Sequence, residues 1–219
     1  MGIQAVVFDM DGVLIDSEPI YHKNHRALHA RLGIPYTEQI ALDFTGLNAA
    51  DSGRKMVALF PQCGITAAQA EEAFENLIYN SLIGEAQLCL IPGVEDLIRR
   101  LHAEGIKLAV ASSSPRRSVA YVIERFSLWR YLSAVVTGDE VRCGKPDPEI
   151  YLKAVRELGV LPEHAAAIED SAHGLEAAIA AGMRTVAFNG TNGGLLAGSA
   201  ADLKICAYEA DTVQRILAL

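Results

Sequence analysis

Five short, mostly apolar stretches, at 3–8, 106–111, 134–137, 165–168 and 185–188, alternate with longer stretches of helical periodicity. Strands this apolar suit burial on both faces, which a parallel sheet covered by helices on each side provides. The pattern predicts an α/β fold, a parallel sheet with helices on both faces. Helix signals agree. Pro92-Gly93 opens a helix over 94–103 that Gly105 stops, another runs from Ser171 to Gly182, and a third follows Pro148.

One segment breaks the alternation. Between the first strand and Pro92 lie about eighty residues with helical periodicity and no strand signal, where a βαβ crossover needs a single helix. Asp16-Ser17-Glu18-Pro19 reads as a helix start, with Ser17 as cap and acid and proline in the first turn. Helices are expected at 20–32, 49–59 and 67–82. The economical reading is a helical bundle, residues 16–87, inserted into a core formed by 1–15 and 88–219. The two ends of the insertion must then sit close together.

Composition narrows the partners. The 219 residues carry 19 Lys+Arg against 27 Asp+Glu, a net charge of −8. That disfavours nucleic acid and anionic membranes, which need a basic face. No stretch approaches the ~20 apolar residues of a membrane span, and the first apolar run has no basic segment before it. Cys63, Cys89, Cys143 and Cys206 lie far apart with no metal spacing, so reduced thiols in a cytoplasmic monomer are expected. Asn189-Gly190-Thr191 fits a glycosylation sequon but reads as a turn.

The chemistry gathers at strand ends, where open α/β sheets bind ligands. Asp9 closes the first apolar run, and Asp11-Gly12 follow in the departing turn. An ordinary turn explains Asp11-Gly12; it does not explain Asp9, whose charge at the end of a buried run is costly unless paired or metal-bound. Glu169-Asp170 stand at the end of the fourth run, with Ser171 able to cap the next helix. Carboxylates gathered in one crevice raise one another's pKa, and a hard cation such as Mg2+ removes the conflict. Ser112-Ser113-Ser114 at the end of the second run offer hydroxyl and N–H donors for an anion. Gly144-Lys145-Pro146-Asp147-Pro148 places a lysine on a turn stiffened by two prolines. The stretch 138–145 fails as a nucleotide P-loop, because its spacing is one residue long and Pro146 stands where Ser or Thr is needed.

Taken in order, Asp9-x-Asp11-Gly12, Ser112, Lys145-Pro146-x-Pro148 and Glu169-Asp170-Ser171-x-x-Gly174 resemble the haloacid dehalogenase-like hydrolase superfamily. The likeness is greatest to the subgroup containing β-phosphoglucomutase and small sugar-phosphate phosphatases. The resemblance implies a Rossmann-like parallel-sheet core, three-layer α/β/α, with an α-helical bundle cap inserted after the first motif. It implies Asp9 as nucleophile and Asp11 as general acid/base. Ser112 and Lys145 would hold the transferring phosphoryl group, and Asp9, Glu169, Asp170 and the Asp11 carbonyl would bind Mg2+. Ser113, Arg116 and Gly46, in the loop 44–48, are further candidates for contact with phosphate or substrate. The implied activity is Mg2+-dependent hydrolysis of a small phosphorylated metabolite, a sugar or polyol phosphate. A phosphosugar mutase is the alternative; a receiver domain is excluded, because it is about half this length and its acid pair precedes its nucleophile.

The insertion divides by charge. Its first part, 16–55, carries Lys23, Arg26, Arg31, Arg54 and Lys55, while 56–87 has no base and four acids. Contacts from the insertion to an anionic substrate are therefore expected from one or two of those five bases. His22, His25 and His29 share a helix face, expected to be half-exposed rather than metal-binding. β-Phosphoglucomutases resemble one another in a cap histidine and a cap arginine; ungapped, this chain has Tyr21 and Ala49 there, with His22 adjacent to the first. Those departures favour a phosphatase.

Overall fold

The structure, a computed structural model, describes residues 2–44, 46–86, 88–191, 193–194 and 196–219. Its centre is a parallel sheet of β1 (Ala5–Phe8), β2 (Lys107–Ser112), β3 (Ala134–Thr137), β4 (Ala165–Glu169), β5 (Arg184–Phe188) and β6 (Leu203–Ile205), in the order β3-β2-β1-β4-β5-β6. Alternate side chains of β1 enter opposite cores. Val6 and Phe8 pack with Leu108, Val110 and Ile168 under α5 (Val94–Ala103) and α6 (Arg116–Arg125). Ala5 and Val7 pack with Ala109, Ala111 and Ala167 under α7 (Glu149–Leu158) and α8 (Ala172–Ala180). The second layer is rich in alanine, which lets α7 and α8 lie close to the sheet. Each fully buried Leu, Ile or Phe contributes about 1.5–3 kcal/mol, so these two cores hold the frame on which the strand tips are set.

Register then places the chemistry. Phe8 lies level with Val110 on one side and Ile168 on the other. The residue that follows β1 is Asp9, whose N–H donates to the Ile168 carbonyl at 3.0 Å, so Asp9 and Glu169 stand side by side at the tips of adjacent strands.

Between β1 and α5 lie α1 (Glu18–Arg31), α2 (Glu38–Phe44), α3 (Ala49–Leu59) and α4 (Ala67–Ile83). They enclose an apolar cluster of their own, including Leu28, Ile34, Phe44, Met56, Phe60 and Phe74. Asn48 caps α3 by accepting from the Asp51 N–H at 2.7 Å, and Thr66 with Gln69 forms a capping box on α4. A Cβ on Gly53 would lie 2.7 Å from the Ala67 carbonyl, so glycine there is what lets α3 and α4 approach. The chain leaves and re-enters the sheet domain side by side: Ile15 forms an antiparallel bridge with Leu90, and the Ile91 N–H donates to the Leu14 carbonyl at 2.8 Å.

Several local expectations are corrected. β6, α2 and the short α9 (Thr212–Leu217) carry no signal that the sequence patterns detect. Ser17 precedes α1 but makes no capping bond; its hydroxyl is used elsewhere, as described below. His29 is buried rather than half-exposed, its Nδ1 2.7 Å from the Pro35 carbonyl and its ring edge-on to Tyr36 and Phe60. The side chain of His22 lies outside the described residues, as does Thr45 of the loop 44–48. All four cysteines are free, and no helix among the described residues is long and apolar enough to cross a membrane.

Candidate active site

The tips of β1, β2 and β4 meet the underside of the insertion around one cavity. Asp9, Asp11, Ser113, Ser114, Lys145, Asp170 and Ser171 line it from the sheet side, and Gly46 closes it from the insertion. A hydroxyl tie fixes that closure: Ser113 Oγ donates to the Gly46 carbonyl at 2.7 Å. Gly46 has φ +82°, and a Cβ there would press within 3.1 Å of the Ser171 hydroxyl, so both conformation and contact call for glycine.

Lys145 lies at the bottom, 2% exposed. Its ammonium donates to Asp9 Oδ1 at 2.6 Å, Glu169 Oε1 at 2.6 Å and the Ala111 carbonyl at 3.1 Å. All three of its N–H donors are thus committed. Burial would lower the Lys145 pKa, but the charges of Asp9 and Glu169 outweigh it and hold the ammonium above its ordinary range. The Tyr151 hydroxyl, from α7, also donates to Glu169 Oε1.

The Asp9 pKa is raised as well, which for a carboxyl favours the uncharged form. Burial raises its carboxyl to about 8, more than the Lys145 charge pulls it back, and the charges of Glu169 and Asp11 add to the rise. With Lys145 as the lysine between them, these acids carry more negative charge than the buried site balances. Asp9, Glu169 and Asp170 each present a carboxylate oxygen, all buried and within 4.8 Å of one another. An all-oxygen, anionic donor set of this kind fits a hard divalent cation such as Mg2+. The cradle is shaped by two glycines: a Cβ on Gly12 would lie 1.9 Å from Asp170 Oδ2, and one on Gly174 would lie 2.0 Å from Glu169 Oε1.

Asp11 sits on the cavity wall under three hydroxyls. Ser17 Oγ at 2.6 Å and Tyr21 Oη at 3.0 Å donate to its Oδ1, and Ser114 Oγ at 2.7 Å donates to its Oδ2. Burial and the Asp11 charge push the Tyr21 phenol above its ordinary value, so it remains a donor. Hydroxyls can rotate to accept, so the same shell serves a protonated Asp11.

The expected residues therefore divide. Asp9, Asp11, Ser113, Lys145, Gly46 and Asp170 line one cavity, with Glu169 directly beneath. Ser112 is fully buried at the tip of β2 and accepts from the Ser114 N–H at 3.1 Å, so its neighbours rather than its side chain face the cavity. Arg116 is a correction: it starts α6 on the exposed side, pairs with Glu140 at 2.6 Å, and is not among the residues lining the cavity. The five bases of the insertion are a second correction, since none of them lines the cavity either. Sequence reasoning misses the roles of Tyr21 and Tyr151, and it gives Ser114 as a donor to an anion where the structure has it holding Asp11. Ser114 belonged to a serine run that carried the signal, whereas Tyr21 and Tyr151 had none that marks a functional tyrosine.

Comparison with known proteins follows the geometry. A family model described as haloacid dehalogenase-like hydrolase matches residues 3–182. A phosphorylated carbohydrates phosphatase of Thermotoga maritima is 34% identical over 194 residues, covering 84% of each chain. A β-phosphoglucomutase of Bacillus subtilis is 31% identical over 189 residues, covering 84% of this chain and 82% of its own. In three dimensions, CbbY from Rhodobacter sphaeroides, solved in complex with phosphate, superposes with a TM-score of 0.82 at 28% identity over 99% of this chain and all of the other. Sequence match, fold and the placement of acids at the tips of β1 and β4 agree, and the chain belongs to the haloacid dehalogenase-like hydrolases.

Proposed function

We propose that the protein is a Mg2+-dependent phosphatase that hydrolyses a small phosphorylated metabolite, a sugar or polyol phosphate, through an aspartyl-phosphate on Asp9. The observation that carries this reading is the pairing in one cavity of Asp9, held by Lys145 at 2.6 Å, with Asp11, held by three hydroxyls. One carboxylate is placed to attack and the other to move a proton.

In the first half-reaction an Asp9 oxygen attacks phosphorus in line with the ester oxygen, and the P–O ester bond breaks. Asp11, protonated, gives its proton to the departing alkoxide. In the second, Asp11 takes a proton from water, the water oxygen attacks phosphorus, and phosphate leaves with Asp9 restored. Lys145 supports both steps by its positive charge beside the attacking oxygen. Ser113, just past the tip of β2, lines the cavity where the phosphoryl group would sit, with Ser112 buried behind it. Asp9, Glu169, Asp170 and the Asp11 carbonyl would hold Mg2+, which when bound offsets repulsion between the carboxylates and the anionic substrate.

Residues 1–15 and 88–219 form the catalytic core in this reading, and 16–87 form the cap that selects substrate. A cytoplasmic monomer is the setting this reading expects, in keeping with four unpaired cysteines. The test is a phosphate-release screen over phosphorylated sugars and polyols, with isomer products followed in parallel. Free phosphate that stops on adding EDTA and returns with Mg2+ is expected. Isomer without net phosphate release identifies the mutase instead, and full activity without divalent cation refutes the metal role.

A further inference from the structure

The cavity has two unlike walls. Opposite the carboxylates, the insertion presents Tyr21, His25, Phe44, Leu47, Phe74 and Ile78. Phe44 and Phe74 stack at 5.7 Å and 24°, and the His25 ring tilts against Phe74 at 5.4 Å, making a continuous ring surface. The hydroxyls of Ser17 and Ser52 line the cavity beside it.

The bases that might have met a second anion are placed elsewhere. Lys23, Arg26 and Arg31 are exposed, with Arg26 lying over the Tyr36 ring at 5.3 Å. Arg54 pairs with Asp51 at 2.5 Å, and Lys55 donates to the Asp43 carbonyl and lies over Phe44 at 5.5 Å. Among the described residues lining the cavity, Lys145 is the one lysine or arginine, and its three donors are committed beneath Asp9. A second phosphate or a carboxylate on the substrate would lose its water against the Phe44 and Phe74 rings with no lysine or arginine to receive it, the His25 imidazole being the one basic group of that wall, and would face Asp9, Asp11 and Asp170. An unpaired charge of that kind is how a site rejects a ligand.

We propose that the cavity takes the monophosphate ester of an uncharged alcohol, seated by its C–H face on the Phe44–Phe74–His25 rings, and turns away substrates bearing a second phosphate or a carboxylate. The proposal rests on the phosphatase reading and narrows its substrate class. Apolar surface and hydroxyls around one phosphate site suit a sugar or polyol, whose carbon face is apolar and whose edge is polar. The same exclusion removes the bisphosphate on which a mutase cycle depends.

The full-length enzyme with Mg2+ tests this on p-nitrophenyl phosphate, sorbitol 6-phosphate, glucose 6-phosphate, glucose 1,6-bisphosphate and 6-phosphogluconate. The better of the two sugar monophosphates with no second anionic group should exceed both the bisphosphate and 6-phosphogluconate in kcat/KM by about tenfold or more. A bisphosphate or phosphogluconate that matches those monophosphates overturns the proposal. Turnover of p-nitrophenyl phosphate with none of the sugar esters also overturns it, while leaving the phosphatase reading intact. No phosphate from any compound overturns the phosphatase reading and this proposal with it. Leu47→Arg, which brings a cation to the apolar wall, should narrow the ratio by raising turnover of the bisphosphate. An unchanged ratio in folded Leu47→Arg counts against the proposal, and the wild-type ratio decides it if that variant does not fold.

Discussion

The hydroxyl of Tyr21 donates to Oδ1 of Asp11 at 3.0 Å, and it reaches there from the helical insertion rather than from the sheet. The acid/base candidate is therefore oriented from both sides: Ser114 holds one oxygen from the sheet domain, while Ser17 and Tyr21 hold the other from the start of the insertion. Tyr21→Phe removes one donor and keeps the ring. A hydrogen bond to a charged group contributes about 1.5–3 kcal/mol, so kcat should fall by about tenfold or more with KM little changed. Steady-state kinetics check this; an unchanged kcat would mean that Ser17 and Ser114 suffice.

Asp9 makes the metal-free protein sensitive to pH. Its carboxyl sits at about 8 in the folded protein against an ordinary 3.8. Between those values the folded state keeps a proton that the unfolded chain has released, so stability falls as pH rises across the window. Asp202 and Glu140 do not mask this. Burial pushes both upward, but hydrogen bonds from Thr185 to Asp202, and from Lys153 and Thr137 to Glu140, hold them below their ordinary values. Their contribution is lost only on the acid side, as pH falls through those lowered values. Without divalent cation, Tm should decline from about pH 5 to about pH 8. Asp9→Asn should flatten the decline and abolish phosphate release with the circular dichroism spectrum unchanged. A Tm that rises over that range would contradict the assignment.

Gly174 reverses an ordinary rule. Gly to Ala inside a helix normally stabilises by about 1 kcal/mol. Here the added methyl would stand 2.0 Å from Glu169 Oε1, whose carboxylate Lys145 and Tyr151 hold in place. Gly174→Ala should lower stability by about 1–3 kcal/mol in urea denaturation and weaken Mg2+ binding in calorimetry. A stabilised variant would show that Glu169 is free to move aside.

Arg125 grips the returning connection. From α6 its guanidinium donates to the carbonyls of Glu85 and Ala86, each at 3.3 Å, and of Leu88 at 3.1 Å. Arg125→Ala should cost about 1 kcal/mol and make this connection easier to cleave. Limited proteolysis with mass spectrometry checks it, and cleavage no faster than in the wild type would rule out a clamping role.

The parts of this molecule that could be read from sequence are those where a local pattern and its long-range consequence coincide. Asp9 and Glu169 each end an apolar run, and a parallel sheet necessarily brings such ends to one edge. β6 could not be read, because three residues with Lys204 in the middle give no apolar run. Ser17 shows the limit of local rules. Its position before α1 has the signature of a cap, yet Asp11 six residues earlier takes its hydroxyl. Tyr21 and Tyr151 were invisible for a related reason: a helix-borne tyrosine facing inward looks like core, and only the packing shows that its oxygen meets a carboxylate. Arg116 and the five bases of the insertion failed in the opposite way. Charge composition counts cations but says nothing about where they point, and these point to Glu140, Asp51, a carbonyl, aromatic rings and solvent.

The bridge between Ile15 and Leu90 has a consequence for how such a chain can change. The backbone that leaves the sheet and the backbone that returns are already joined there, so the sheet domain meets the whole insertion as a closed loop. Lengthening a closed loop adds only about 0.6 kcal/mol of entropy per doubling. The intervening helices can therefore be shortened, exchanged or enlarged at little thermodynamic penalty while the strand tips keep their register. The strand tips keep their chemistry through such changes so long as the start of the insertion, where Ser17 and Tyr21 hold Asp11, is kept as well.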